Sequence, residues 1–336
     1  MAHADRSRSL SSRMRAAARA ASHEVKRWSY VDLGGGPEDT VFIAGSGRSG
    51  TTWIEEVVNR HHDHRVLFEP FWGRHVRQVR HFSEHQYIRP GDDDPRYVEP
   101  VRQILSGRVR NRWIDHQNTV HIAHKRLVKE IRANNWVGWA ADQWPQMPVV
   151  FVIRHPMAVA SSRLAMGWED GLDWVLEQPE MLDDHLDADT QAYLRSLRTP
   201  WERAIARWCV ENIVPFHTLG GTGATLIVYE ELASRSPQAT ARLLTAVGQQ
   251  PDDSVDEALD LPSRLARGPV GGGGSGFADK WVTKVDAARR REGGCVIDRL
   301  GFGSVFDDGP VPNVDAAQQL WERPSGAHLG GSDQGH

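Results

Sequence analysis

Cysteine is nearly absent: two residues, Cys209 and Cys295, in 336. Two thiols exclude a disulfide framework and fit a reducing, cytoplasmic setting. No apolar run reaches the roughly 20 residues that a membrane helix needs, so no span is expected. The first 27 residues carry seven basic and two acidic side chains but lack the apolar centre of a secretory signal. Their composition is that of a basic, flexible lead-in, with an organelle-targeting peptide or a membrane-surface helix as alternatives. The net charge of -4 gives no overall case for nucleic acid. Locally the balance reverses: residues 71–130 hold 12 Arg or Lys against 7 Asp or Glu, a charge of +5 before six histidines are counted. Such a zone suits an anionic partner such as an acidic glycan, or is simply a solvated face.

A lysine is also missing where one would be looked for. Residues 41–59, VFIAGSGRSGTTWIEEVVN, read as a buried strand over 41–44, a glycine turn over 45–50 and a helix with Ile54, Val57 and Val58 on one face. Strand, glycine turn and helix form a phosphate cradle, in which backbone amides and the helix dipole face an anion. The spacing is that of a P-loop, yet Thr51 stands in the lysine position and the basic group is Arg48, inside the turn. A kinase would need that lysine and a metal-holding aspartate at a later strand end.

The second informative stretch is residues 148–164, PVVFVIRHPMAVASSRL. Residues 149–153 are continuously apolar, as in a parallel strand covered on both faces. The strand ends on Arg154 where a kinase would carry aspartate, and Pro156 suits the first turn of the next helix. Arg154 and Ser162 can converge on one phosphate. Further strands are expected over 127–131 and 224–232, and helices over 97–108, after Ser236 and after the capping pair Thr199 and Glu202. A short helix should contain Trp136, Trp139 and Trp144. Alternation of strand and helix gives an α/β fold, a P-loop-type three-layer α/β/α arrangement with a mainly parallel central sheet. The domain is expected over 40–308, between the lead-in of residues 1–39 and a flexible tail over 309–336. His61, His62, Asp63 and His64 are too close in sequence to converge on one ion, and no metal is expected.

GSGRSGTTW, residues 45–53, resembles the 5'-phosphosulfate loop of the sulfotransferases that use 3'-phosphoadenosine 5'-phosphosulfate (PAPS). Arginine in RSGTT is more similar to the carbohydrate and tyrosylprotein enzymes than to the cytosolic ones. The resemblance covers about a third of the chain and includes YEEL, residues 229–232, which is similar to a YED motif. It implies that Arg48, Ser49, Gly50, Thr51, Thr52 and Trp53 hold the phosphosulfate end, and that Arg154 and Ser162 hold the 3'-phosphate. Trp53 and Tyr229 would flank the adenine. The family's C-terminal phosphate motif is not cleanly present; Arg267 with Gly268, or Lys280, would have to replace it.

The cytosolic enzymes' histidine base is replaced here by Ile131. The resemblance therefore points to Glu69, in VLFEPFW, as the base, with Glu130 as a second candidate. The implied reaction is in-line sulfuryl transfer to a hydroxyl-bearing acceptor, a glycan or small molecule. Glu69 would take the proton, while Arg48 and Lys129 stabilise developing charge. Phenolic, lipid and peptide-tyrosine acceptors are alternatives, as are a nucleotide kinase and a non-catalytic nucleotide-binding module. Acceptor contacts are expected in residues 73–124 and 167–197.

Overall fold

The computed structural model describes residues 29–264 and 279–323. The basic lead-in of residues 1–27, the glycine run, and Arg267 with Gly268 lie outside the described residues.

Seven strands are described: β1 (Val31–Asp32), β2 (Thr40–Gly45), β3 (His64–Phe68), β4 (Ile122–Ala123), β5 (Lys125–Glu130), β6 (Val149–Ile153) and β7 (Thr225–Val228). Five form one sheet in the order β3-β5-β2-β6-β7, every pairing parallel. β1 and β4 make a separate parallel pair. Of the three inner strands, β2 and β6 are buried at every position, as their almost wholly apolar sequences require.

Alternation along β2 sends Val41 and Ile43 to one face and Phe42 and Ala44 to the other. Helices Thr51–Val58, Pro237–Ala246 and Asp253–Asp260 pack on the first face. The second face is covered by helices that include Pro156–Ala165, the long Pro200–Thr218 and Ala287–Arg299. The result is the expected three-layer α/β/α architecture. Thr199 caps the long helix through a capping box with Glu202.

Several boundaries differ from expectation. The stretch 224–232 divides, because the chain turns at Tyr229 into the helix Tyr229–Ala233. Part of the stretch expected as a tail, 309–336, is folded: helix Val314–Trp321 packs against β7, and its buried Trp321 stacks on Phe151 at 5.7 Å. The Asn313 side chain caps that helix, accepting from the Ala316 amide. At the other end, buried Tyr30 donates to Asp115, so the fold starts before residue 40. Of the three expected helical tryptophans only Trp139 lies inside helix Val137–Gln143; Trp136 and Trp144 are its caps.

The strands all finish at one edge, at Gly45, Phe68, Glu130, Ile153 and Val228. Chain order reverses beside β2, with β5 on one side and β6 on the other, which opens the crevice where open α/β sheets hold ligands. Among the described residues, no helix is long and apolar enough to cross a membrane. Cys209 is buried, Cys295 is exposed, and both are free.

Candidate functional site

The glycine turn leaves β2 at Gly45 and enters helix Thr51–Val58 with Gly50 as its left-handed N-cap, φ 91°. A side chain at Gly50 would strike the Tyr229 ring, so close packing as well as backbone conformation requires glycine. Arg48 also has positive φ, 79°, a conformation that costs a non-glycine residue free energy and is met mostly at functional turns. The first-turn amides of the helix have no intrahelical acceptor and face the crevice end of the sheet. Ser49 Oγ is buried and makes no protein hydrogen bond. A buried hydroxyl among amide donors and Arg48 is suited to an oxygen-rich anion.

The second anion site adjoins the first. Arg48 Nε donates to Ser162 Oγ at 3.0 Å, and Arg154 Nη1 donates to the carbonyl of Arg48 at 3.2 Å. Arg154 lies 4.4 Å from the centroid of the Tyr229 ring and 3.9 Å from Glu230 Oε1. Burial pushes the Glu230 carboxyl up to about 7, against the pull of Arg154. Its grip on Arg154 is therefore weaker than that of a fully ionised carboxylate. Arg48, Arg154, Ser162 and Tyr229, read from three separate stretches, are together.

The expected adenine clamp has a different shape. Trp53 and Tyr229 are both buried and pack edge to face with centroids 5.5 Å apart. A planar ring between them would need about 7 Å, two carbon contact distances. Trp53 is tied further by its indole N–H to the carbonyl of Leu261 at 3.1 Å. The pair makes one wall, not two sides of a slot.

Glu69 lies just past the end of β3 with φ 40°, and its amide continues the ladder to the carbonyl of Lys129 at 2.8 Å. Lys129 Nζ donates to Glu69 Oε1 at 2.6 Å, and Arg132 Nη1 to Oε2 at 2.8 Å. Burial alone would raise the carboxyl's pKa, but the two cations hold it below the usual carboxylate range. Glu130 is placed otherwise. It is fully buried on the opposite face, and its oxygens accept from the amides of Phe71, Ile131 and Arg132. Burial raises its pKa. It serves as a backbone clamp, with both oxygens engaged, which favours Glu69 of the two candidate bases.

Three further groups escaped the sequence reading. Arg132 completes the Glu69 pair. Glu55, buried on the loop's own helix, is pushed by burial up to about 7 despite its bond to Arg264. The third is a hub behind the loop, centred on Glu211 in helix Pro200–Thr218. Its carboxylate accepts from Ser46 Oγ at 2.8 Å, Arg163 at 2.9 Å and Arg207 at 2.6 Å, while Arg163 Nε holds the carbonyl of Gly47 at 3.1 Å. Burial is outweighed here by Arg163 and Arg207, which keep Glu211 well below the carboxylate range. A carboxylate amid the apolar positions of WCVENIV was the available signal.

Replacing Glu211 by Gln would strand two buried guanidinium groups. The expected cost is about 3–5 kcal/mol of stability, measured by urea unfolding; an unchanged midpoint would show that the hub does not hold the fold.

Lys280, the remaining candidate for the C-terminal phosphate motif, is exposed. Among the described residues no group of His, Cys, Asp or Glu is placed to hold a metal ion.

Comparison with known proteins was made on this background. A model of the sulfotransferase family matches residues 39–253. Two solved structures are similar. The sulfotransferase domain from the Synechococcus PCC 7002 olefin synthase is 15% identical, with a TM-score of 0.41, over 77% of this chain and 93% of that one. The sulfotransferase domain from the curacin biosynthetic pathway is 16% identical, with a TM-score of 0.42, over 81% of this chain and 99% of that one. Curated proteins give no match.

Proposed function

Because the chain belongs to the sulfotransferase family, and is thus an enzyme of sulfuryl transfer, we propose that its donor is PAPS and that the acceptor is a carbohydrate hydroxyl. The observation that carries the donor reading is the adjacency of two anion sites, the loop with Arg48 and the Arg154–Ser162 pair. A nucleotide phosphorylated at both its 5' and 3' ends fits two such sites. When bound, PAPS supplies a sulfuryl group on an activated phosphate.

The chain's own residues do the rest. Residues 45–53 hold the phosphosulfate end, with Ser49, Gly50, Thr51 and Thr52 lining the turn. Arg154 and Ser162 hold the 3'-phosphate, and the adenine rests against the wall of Trp53 and Tyr229. Glu69 takes the proton of the acceptor hydroxyl. Arg48 and Lys129 face the charge that develops on the transferring group. Lys129 is already bound to the base, so one cation links proton removal to charge stabilisation. A carbohydrate acceptor is supported by the exposed and half-buried aromatic and basic side chains beside Glu69, including Trp72, Trp113 and His75.

The discriminating experiment compares adenosine 3',5'-bisphosphate (PAP) with ADP. PAP is expected to bind more tightly, and Arg154→Ala to weaken PAP by roughly 10- to 100-fold, as for loss of a charged hydrogen bond. ADP should be nearly unaffected. Titration calorimetry reads both affinities, and an unchanged PAP preference in the variant would remove the 3'-phosphate assignment.

A further inference from the structure

Arg132 stands between the candidate base and an aromatic wall. Its Nη1 is on Glu69 Oε2 at 2.8 Å, while its Cζ lies 4.2 Å from the centroid of the Trp72 ring. Trp72 packs edge-on against Trp113 at 5.0 Å, and Trp113 stacks with His75 at 4.3 Å. The wall is fixed relative to the base, because the Trp113 indole N–H donates to the carbonyl of Glu69 at 3.1 Å. Both indoles are half-buried and His75 is exposed, so the wall meets solvent.

On the solvent side of this wall sits an exposed carboxylate, that of Glu84. Oε1 accepts from the Trp72 indole N–H at 3.2 Å, and Oε2 lies 3.3 Å from Arg132 Nε. Two donors from two segments thus form a seat for both oxygens of one carboxylate. Glu84 has a 42% exposed side chain, and exposed ion pairs are weak, so another anion can take the seat at small cost. A ring carrying that anion would lie along the solvent side of this wall, against the outer edge of Trp72 and exposed His75, with its C–H face on the aromatic surface. Its hydroxyls would then be near Glu69, one guanidinium away.

We infer that Arg132 and Trp72 form an acceptor subsite for an acidic sugar, seating its carboxylate or sulfate where Glu84 now lies and making Arg132 a specificity-determining residue. The inference rests on the sulfuryl-transfer reading of the same site. It assigns Glu84 the role of an internal competitor, which gives two variants of opposite effect.

The test follows sulfuryl mass gain from PAPS onto 4-nitrophenyl β-D-glucuronide and 4-nitrophenyl β-D-glucoside, which differ at one ring substituent. The full chain should favour the glucuronide by about tenfold in kcat/KM. Arg132→Met should bring the ratio towards one. Glu84→Gln, a change on the exposed side, should raise it several-fold by removing the competing negative charge from the seat. Equal rates on both glycosides, a ratio that survives Arg132→Met, or one that does not rise in Glu84→Gln would each overturn the subsite. Transfer to neither glycoside, with PAP still binding in calorimetry, would overturn the acidic-sugar assignment and leave the donor reading standing. Absence of PAP binding would instead remove the donor reading beneath it.

Discussion

Glu69→Gln is expected to lower turnover by roughly 10²- to 10⁴-fold, the worth of a positioned general base, while PAP affinity stays within about twofold. Gln keeps the size of the side chain and one acceptor oxygen for Lys129 or Arg132 but cannot take a proton. The lower half of that range is favoured. A carboxyl held below its usual range by Lys129 and Arg132 is a weak base, and the advantage of a base falls with its basicity. The same shift sets the pH dependence. A depressed pKa keeps the base form present at neutral pH and through mild acid, so activity should decline only as pH falls below the ordinary carboxylate range. Steady-state rates between about pH 3 and 8, buffered at constant ionic strength, read both effects. Wild-type turnover in the Gln variant would end the assignment of Glu69.

Arg48→Met should cost turnover roughly 10²- to 10³-fold, as does removal of one preorganised donor at a developing charge. The contrast with Arg154 is the informative part. Arg154, assigned by the proposed reading to the 3'-phosphate, would bind substrate and transition state alike, so its loss should appear in KM for PAPS. Arg48, inside the turn at φ 79° and bonded to Ser162, would on the proposed reading face the group whose charge changes, so its loss should appear mainly in kcat. Initial rates over a matrix of PAPS and acceptor concentrations separate the two constants. An Arg48→Met enzyme with normal kcat and a raised KM would reduce Arg48 to a ground-state binding group.

What could be read from the sequence was local. GSGRSGTTW declares its turn because the glycines and the arginine lie within nine positions, and β2 and β6 declare themselves because strands covered on both faces are apolar throughout. Thr199 and Glu202 mark a helix start for the same reason. The association of Glu69 with Arg132 and Trp72 was hidden. It depends on β3 and β5 being neighbours, which no short-range pattern specifies. Trp53 and Tyr229 were correctly paired yet wrongly spaced, since sequence gives two aromatic residues but not the distance between their rings. Helix Val314–Trp321 was obscured by Pro, Gly and Asp residues just before it, whose turn-forming character outweighs one helical turn of apolar signal.

The bond from Ser46 to Glu211 joins positions 165 apart. A contact so distant closes a loop of about half the chain, and the docked strands and helices between offset its entropic cost. The glycine turn therefore owes part of its shape to a residue from the second half of the chain. Ligand that recognises only the finished loop stabilises only complete molecules, in proportion to its concentration over its dissociation constant. The proposed donor, if held by this loop, would thereby act as a stabilising ligand as well as a reactant.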